Sequence, residues 1–332
     1  MNSPENLLLR VEKLSVVFDI LAKGSMPWTR AQQLKAVEDV SFNLYQGETL
    51  GIVGESGCGK STLARALLRL VPASSGKVMW MGQQDLLRIQ DKKFNTLRRD
   101  LQMVFQDPLA SLNPRMTIGQ IIAEPLTTHY PQTTKQQAQS RVKETMHKVG
   151  LLPNQINRYA HEFSGGQCQR IAIARALILN PKLIICDEPV SALDVSIQAQ
   201  VINLLMQLQK EMGMSLIFIA HDLSVVRHIS QRILVLYLGR VAEISTADVL
   251  YKNPRHPYTQ ALISAVPIPD PEIERNREIL LLEGELPSPL NPPSGCVFRT
   301  RCNKARALCA QQKPPLASQD GEHFVACHFD YE

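Results

Sequence analysis

Residues 54–61 read GESGCGKS and follow directly on the apolar run Thr49–Val53. This stretch fits the pattern G-x-x-x-x-G-K-[ST], in which a strand, a glycine-rich loop and a helix follow one another. Glycine is needed because the loop wraps closely around a triphosphate, and side chains would keep its backbone N–H groups from the phosphate oxygens. The sequence therefore predicts a phosphate-binding loop at the start of a helix.

The side chains of this loop have separate expected tasks. Lys60 places a cation at the β and γ phosphates, and Ser61 offers a hydroxyl to Mg²⁺, which prefers hard oxygen ligands. The residues expected to bind the nucleotide in this segment are Gly54, Glu55, Ser56, Gly57, Cys58, Gly59, Lys60, Ser61 and Thr62. Because Cys58 has backbone N–H donors, a helix start and Lys60 around it, we expect a lowered pKa and rapid reaction with maleimides. The alternative is an inert small residue chosen for fit.

An acidic pair follows the apolar run Leu183–Cys186, which is typical of a strand buried on both faces. Asp187 and Glu188 then lie at the carboxyl end of that strand, where ligands bind in doubly wound sheets. We expect Asp187 to hold Mg²⁺ and Glu188 to polarise an attacking water molecule. An isolated acidic pair is often only a helix N-cap, so this pair gains weight from the phosphate loop.

Further motifs occur along the chain in the order of one known family. They are Gln106 in VFQDP, SGGQCQR at 164–170, SALD at 191–194 and His221 at the end of LIFIAH. Together with the phosphate loop and the acidic pair, they make the sequence resemble the ATP-binding cassette family. Longer stretches, among them NPRHPYTQALISAVP and LPSPLNPPSGCVFRTRC, look like the ATP-binding subunits of bacterial oligopeptide and dipeptide importers.

The resemblance implies a site that two cassettes share. In this family two subunits hold two ATP molecules head to tail, and the signature segment of one subunit binds the nucleotide held by the other. The signature residues here are Ser164, Gly165, Gly166 and Gln167. We expect the two glycines at the N-terminus of a helix over 167–179, whose dipole favours an anion.

Roles for the remaining motifs also come from the resemblance. It implies that Gln106 senses Mg²⁺ and the transmembrane partner, and that His221 contacts the γ-phosphate. The D-loop consists of Ser191, Ala192, Leu193 and Asp194. Phe18 takes the place of the aromatic residue that stacks on adenine. Half-buried packing is the alternative for Phe18, with Trp28 of the insert 19–35 as a rival stacking residue.

Alternation of apolar runs and helical stripes predicts an α/β fold with a P-loop NTPase core and a mainly parallel sheet. The range 7–50 has the pattern of antiparallel strands, and the resemblance assigns about 117–163 to a helical subdomain. Eleven of the 21 prolines lie from Pro254 onward, where the alternation also fades. We therefore expect an ABC ATPase domain over 1–250 and a small loop-rich extension over 251–332.

Four of the seven cysteines lie in this extension: Cys296, Cys302, Cys309 and Cys327. Disulfides are disfavoured because an ATP-dependent chain without a secretion signal works in a reducing compartment. The spacing lacks a C-x₂₋₄-C zinc knuckle, whereas four thiolates can hold a [4Fe–4S] cluster at irregular spacings. Spacing alone leaves cluster, zinc and unligated thiols open. The resemblance to importers whose extension carries such a cluster favours iron–sulfur.

Composition limits the classes of function. A net charge of +5 is too weak and too dispersed to indicate nucleic-acid binding. The sequence has neither an apolar run of about 18 residues nor an apolar segment behind N-terminal basic residues, so we expect no membrane span and no secretion. The chain must then act with membrane-spanning partners.

The main alternative function is a soluble ABC ATPase that acts on nucleic acid or ribosomes. Repair enzymes of this type place a long coiled coil between phosphate loop and signature, and the segment between Lys60 and Ser164 shows no sustained heptads. Translation factors of this type usually carry two cassettes in one chain, and this chain has one. An exporter is disfavoured by the extension and by the lack of a fused membrane domain.

The resemblance also implies the partners and the location. It favours a second, related ATP-binding subunit, two membrane-spanning permease subunits and a periplasmic peptide-binding protein, with the chain peripheral on the cytoplasmic face of the inner membrane. Because every element of the ATP site is present in this one chain, a pair of identical cassettes stays open.

Overall fold

The computed structural model describes residues 6–21, 31–267, 275, 280, 282, 284–318 and 320–330. Trp28 and most of the insert 19–35 lie outside these residues. The chain divides into two compact units, each made of separate segments. The first comprises Met1–Leu8, Leu44–Thr49 and Arg88–Ala220, and the second comprises Leu9–Asn43, Leu50–Leu87 and His221–Glu332.

Strands and helices alternate along most of the chain, as the sequence predicts. The strands are β1 (Leu7–Ile20), β2 (Gln32–Tyr45), β3 (Thr49–Val53), β4 (Ser75–Trp80), β5 (Gln84–Asp85), β6 (Leu101–Val104), β7 (Leu183–Asp187), β8 (Ser215–Ile219), β9 (Arg232–Tyr237), β10 (Arg240–Thr246) and β11 (Phe324–Val325). The helices are α1 (Lys60–Leu67), α2 (Asp91–Leu97), α3 (Pro108–Ser111), α4 (Ile118–His129), α5 (Lys135–Lys148), α6 (Gly165–Leu177), α7 (Val195–Met212), α8 (Leu223–Ile229), α9 (Ala247–Lys252), α10 (Pro257–Ser264) and α11 (Ala307–Gln311). None of the helices in the described ranges is long and apolar enough to cross a membrane.

The first unit contains a parallel sheet and a helical region. Strand β7 pairs in parallel with β6 on one side and β8 on the other, and β7 and β8 are buried throughout. Burial on both faces explains why these strands read as continuous apolar runs. The helical region contains α4 and α5, and the N-cap of each is a threonine, Thr117 or Thr134, that forms a capping box with the glutamine three residues later.

The second unit combines antiparallel and parallel pairing. Strands β2, β1, β4 and β5 lie in that order in a four-stranded sheet, with β4 antiparallel to β1 and to β5. Strand β3 pairs in parallel with β9, and β9 pairs antiparallel with β10. The strands predicted for the range 7–50 are present as β1 and β2, which are neighbours in the four-stranded sheet, and the antiparallel partner shown for β1 is β4. Because β3 is buried at every position, it fixes the start of the phosphate loop firmly in its unit.

The C-terminal extension adds the strand β11 to β10, where Glu243 and Ile244 of β10 face Val325 and Phe324. Glu243 is fully buried beside this pairing. Its carboxylate accepts hydrogen bonds from the backbone N–H groups of Arg255 and His256, both at 2.9 Å, and lies 2.6 Å from Nε2 of His323. One buried carboxylate thus connects β10 to both ends of the extension.

The protonation of this cluster follows from its surroundings. Burial alone would raise the pKa of Glu243, but the hydrogen bond from His323 and those from two backbone N–H groups hold it below its usual value. Burial lowers the pKa of His256 to about 4. Near neutral pH Glu243 is therefore ionised and His256 is uncharged, and the carboxylate needs all of its donors.

We expect Glu243→Ala to destabilise the protein by roughly 2–4 kcal/mol, because two backbone donors and His323 lose a buried acceptor. Urea unfolding followed by circular dichroism measures the change. The matched control is Glu322→Ala, which removes an exposed carboxylate next to His323 and is expected to stay within about 0.5 kcal/mol of the parent. Equal stabilities for Glu243→Ala and the parent would contradict this role of Glu243.

Candidate nucleotide site

The phosphate loop lies between β3 and α1, in the strand, loop and helix order that its pattern predicts. Gly59 is the N-cap of α1 with a φ of 103°, in the left-handed region that glycine tolerates. A Cβ atom there would lie 2.1 Å from the carbonyl oxygen of Ala36, and one at Gly54 would lie 2.1 Å from that of Leu236. These two glycines are therefore required by backbone packing, in addition to the access for phosphate that the sequence suggests.

Lys60 is the first residue of α1 and is 4% exposed. Its Nζ donates to the carbonyl oxygens of Gly54 at 2.8 Å and Glu55 at 3.1 Å. The ammonium group therefore lies against the loop backbone at the start of α1. A lysine side chain and the N–H groups of a helix start suit the phosphates of a nucleotide.

Cys58 differs from the expectation based on its neighbours in sequence. The side chain is 1% exposed, and its backbone carbonyl accepts a hydrogen bond from Gly239 at 2.8 Å. Burial raises the pKa of the Cys58 thiol to about 11, and the nearby charge of Lys60 offsets only part of that rise. The predicted low pKa is wrong, because loss of water around the thiolate outweighs the cation.

The acidic pair at the end of β7 lies in the first unit. Asp187 is the last residue of β7 and is fully buried. Glu188 has a φ of 46°, an uncommon backbone conformation for a residue with a side chain. Its N–H donates to the carbonyl oxygen of Ile219 at 3.0 Å, and its Oε2 accepts from Nε2 of Gln106 at 3.0 Å.

The contact between Gln106 and Glu188 brings together two residues that are 82 positions apart in the sequence. The sequence predicts Gln106 as a sensor of Mg²⁺ and Glu188 as the residue that polarises water, and the structure places the amide and the carboxylate in direct contact. An amide that donates to a carboxylate orients it without changing its charge. Ser191 of the D-loop reinforces the turn, since its Oγ donates to the carbonyl oxygen of Glu188 at 3.1 Å.

The signature segment forms the N-terminus of α6. Ser164 is the N-cap: its Oγ accepts from the N–H of Gln167 at 3.4 Å, and its own N–H donates to Oε1 of Gln167 at 3.0 Å. The helix begins at Gly165, two residues before the predicted start at Gln167. The sequence predicts this serine and glutamine only as nucleotide contacts, whereas in the structure they also form the capping box that starts the helix at Gly165.

The signature glycines also pack against the segment after the acidic pair. A Cβ atom at Gly166 would lie 2.5 Å from Cγ2 of Ile197, and one at Gly165 would lie 3.4 Å from Cδ2 of Leu193. The signature helix therefore lies against the D-loop and the first turn of α7. The sequence motifs do not predict this contact with Ile197, although Ile197, Val201 and Leu204 have the spacing of an apolar helix face.

The other predicted residues occupy positions that their motifs allow. Phe18 is half-buried near the end of β1, Ser61 and Thr62 lie in the first turn of α1, and His221 is exposed just after β8. Ser56 and Gly57 are exposed in the phosphate loop, and Ala192 and Asp194 complete the D-loop, with Asp194 as the N-cap of α7. Their roles toward a nucleotide remain predictions.

The seven cysteines are free thiols. Those of the extension, Cys296, Cys302, Cys309 and Cys327, line one small cavity together with His256, Phe298 and Phe329. Burial raises the pKa of Cys296 and of Cys302, and raises that of Cys327 to about 11. Across the described part of the chain, no group of three or more His, Cys, Asp or Glu side chains could hold a metal ion.

Comparison with known proteins gives two family matches. The family described as ABC transporter matches residues 37–191, and the family described as oligopeptide/dipeptide transporter, C-terminal region, matches residues 242–309. Among solved structures, the dimeric post-hydrolysis state of the ATP-binding cassette MJ0796 bound to ADP and Pi has a TM-score of 0.63 and 28% identity, over 72% of this chain and 99% of that one. The cbiO1 protein of Clostridium perfringens has a TM-score of 0.63 and 26% identity, over 75% and 92%.

Curated relatives match over nearly the full length. The oligopeptide transport ATP-binding protein OppF of Haemophilus influenzae is 63% identical over 98% of both chains. The protein of the same name from Salmonella typhimurium is 65% identical over 97% of this chain and 96% of the relative.

We expect Cys58 in the folded protein to react with maleimide much more slowly than an exposed cysteine, because it is buried and mostly protonated at pH 8. Mass spectrometry of peptides after timed labelling measures its rate. The same protein unfolded in guanidinium is the control, and there Cys58 should label rapidly. Rapid labelling of folded protein that MgATP prevents would restore the original expectation of a reactive thiol.

Proposed function

Because the chain belongs to the ATP-binding cassette family of transporters, we propose that it binds and hydrolyses ATP to drive uptake of oligopeptides through a membrane importer. The observation that carries the proposal is identity of 63–65% over nearly the whole chain with proteins named for oligopeptide transport. The match of the extension to the oligopeptide/dipeptide transporter region supports the same class of substrate. No comparison supports the nucleic-acid or ribosome alternative.

The residues of the phosphate loop and those around the acidic pair have different proposed tasks. The loop from Gly54 to Thr62 binds the phosphates of ATP, with Lys60 as the cation and Ser61 as a ligand of Mg²⁺. Glu188 takes a proton from the attacking water, and Gln106 orients its carboxylate. Asp187 holds Mg²⁺ through water, His221 contacts the γ-phosphate and Phe18 stacks on adenine. Mg²⁺ held by Ser61 and Asp187 would offset the negative charge that develops on the phosphates during hydrolysis.

The signature segment is assigned to the nucleotide of a second cassette. Ser164 already caps α6, and the dipole and N–H groups of a helix N-terminus favour an anion. The D-loop lies directly against Gly165 through Leu193, so a change at the acidic pair can reach the signature within one subunit. The dimeric state of a related cassette with ADP and Pi supports an arrangement of two cassettes.

The partners are proposed from the same family. ATP-binding subunits of importers work with membrane-spanning permease subunits, and we propose two of these, a related second cassette, and a periplasmic binding protein that delivers the peptide. The chain then lies on the cytoplasmic face of the inner membrane as a peripheral subunit. An identical second cassette is the alternative to a heterodimer, since this chain contains every predicted element of the site.

For the extension we propose an iron–sulfur cluster as a structural cross-link. The support is that the four cysteines line one cavity and that four thiolates are the ligands such a cluster needs. Zinc is the alternative, and the spacing of the cysteines lacks the C-x₂₋₄-C knuckle usual in zinc sites. Burial raises the pKa of several of these thiols. Because a metal stabilises the thiolate form, bound iron would lower those pKa values.

Glu188→Gln keeps the size and hydrogen bonds of the side chain but removes the base. We expect hydrolysis in the assembled transporter to fall by roughly two orders of magnitude or more while MgATP stays bound. Lys60→Ala should instead lose nucleotide affinity, since it removes the cation of the loop. Phosphate release and nucleotide binding distinguish the two outcomes.

The matched control is Glu211→Gln, an exposed position near the end of α7, which should keep parental turnover. Parental turnover in Glu188→Gln would refute the assigned base. Because this variant traps ATP between two cassettes, a tagged form should also retain its partner during purification. Recovery of an untagged copy of this same chain in place of a related cassette would contradict the heterodimer.

If the extension holds a [4Fe–4S] cluster, anaerobically purified protein should be brown and contain about four irons per chain. Changing any of Cys296, Cys302, Cys309 or Cys327 to serine should remove the colour and expose the range 254–332 to protease, while ATP still binds. Iron analysis, absorption spectra and limited proteolysis measure these effects.

The matched control is Cys168→Ser, a buried cysteine of α6 whose Sγ lies 3.4 Å from the carbonyl oxygen of Ala160. A serine hydroxyl can keep that hydrogen bond, so colour and protection should persist. If metal analysis finds zinc and no iron, the proposed iron–sulfur cluster is wrong, although a metal still cross-links the extension. Metal-free protein with a fully protected extension would contradict the proposal.

A further inference from the structure

Glu55, the second residue of the phosphate loop, is bound by an arginine of the C-terminal extension. Arg301 Nη1 donates to Oε2 of Glu55 at 2.7 Å, and Nη2 donates to Oε1 at 3.0 Å. This is the two-bond pairing in which a guanidinium and a carboxylate match in shape and charge. The Arg301 side chain is 9% exposed and that of Glu55 is 26% exposed, so water and salt screen the pair only in part.

The backbone of the same loop residue is held as well. The N–H of Glu55 donates to the hydroxyl of Tyr258 at 2.9 Å, and Tyr258 is fully buried in α10. Its ring lies 5.4 Å from the ring of Phe298, whose carbonyl oxygen accepts from the N–H of Arg301 at 3.0 Å. The side chain and the backbone of Glu55 are therefore both held by one packed group, Tyr258, Phe298 and Arg301, which follows β10 in the chain.

The charge of Glu55 gives this contact a consequence for ligand binding. A carboxylate in a loop that receives phosphates repels them, and the repulsion is strong where water is partly excluded. Arg301 cancels that charge, and the hydrogen bonds to Glu55 raise the pKa of Arg301 further above its usual value. The guanidinium therefore stays ionised at any pH at which the protein is folded.

We propose that Arg301 is a positioning residue of the nucleotide site: it neutralises Glu55 and holds the phosphate loop in shape, so the folded extension strengthens the binding of a nucleoside di- or triphosphate. This inference rests on the proposed ATPase function. It adds that the extension, which the sequence predicts as a domain apart from the ATPase domain, contributes directly to nucleotide affinity.

The test compares four full-length chains: the parent, Arg301→Ala, Glu55→Gln and the double variant. Each is titrated with MgADP by isothermal calorimetry, because MgADP is not hydrolysed further during the titration. Arg301→Ala should bind roughly tenfold more weakly, because it leaves the Glu55 carboxylate facing the phosphates. Glu55→Gln should bind more tightly than the parent, since it removes the anion and keeps Arg301. The double variant should recover most of the affinity that Arg301→Ala loses, because the two effects are coupled.

Two further measurements separate a charge effect from general loss of structure. Arg299 lies in the same segment, and its guanidinium donates to Ser294. The Arg299→Ala variant should bind MgADP as tightly as the parent. The defect of Arg301→Ala should also shrink in high salt, which screens Glu55. Parental affinity in Arg301→Ala, a double variant as weak as the single one, or an equal loss in Arg299→Ala would each overturn the proposal. A parent chain that binds no MgADP would instead refute the ATPase function itself.

Discussion

Close contact between backbone atoms at the phosphate loop is the constraint on which the second unit depends. The carbonyl oxygens of Ala36 in β2 and Leu236 in β9 leave no room for a Cβ atom at Gly59 or Gly54. Substitution there would move a strand or the loop, since neither side of the contact is a flexible side chain. At these two glycines the phosphate loop packs directly against β2 and β9, next to the start of α1. This packing does not depend on a ligand. The capacity to bind phosphate is built on a packing arrangement that already fixes the loop.

The acidic pair shows the same use of backbone geometry in the first unit. Glu188 has a left-handed conformation that its hydrogen bond to Ile219 helps to hold. Such conformations are unfavourable for residues with side chains and persist where the surroundings impose them. The side chain is held by this backbone and by its contact with Gln106, so the fold itself sets the position of the carboxylate that we propose as the base.

Sequence reasoning succeeded where the signal is local. The runs Thr49–Val53 and Leu183–Cys186 predicted β3 and β7 because continuous apolar segments mark strands buried on both faces. It failed for the thiol of Cys58, since neighbours in the chain show nearby charge but not the burial that dominates the pKa. It also could not find Arg301 beside Glu55, because these residues are 246 positions apart and no periodic pattern connects them. The extension contains few regular elements, so its contacts follow from tertiary packing alone.

The short strand β11 has a consequence for the synthesis of the chain. Strand β10 is complete by Thr246, but its partner Phe324–Val325 is made almost eighty residues later. Until then the outer edge of β10 exposes unpaired N–H and C=O groups, the kind of edge on which chains join and aggregate. A two-residue strand is long enough to cover that edge at Glu243 and Ile244. Late translation of the extension therefore closes a site of misassembly, and the interval before it closes is when a nascent chain most needs a chaperone.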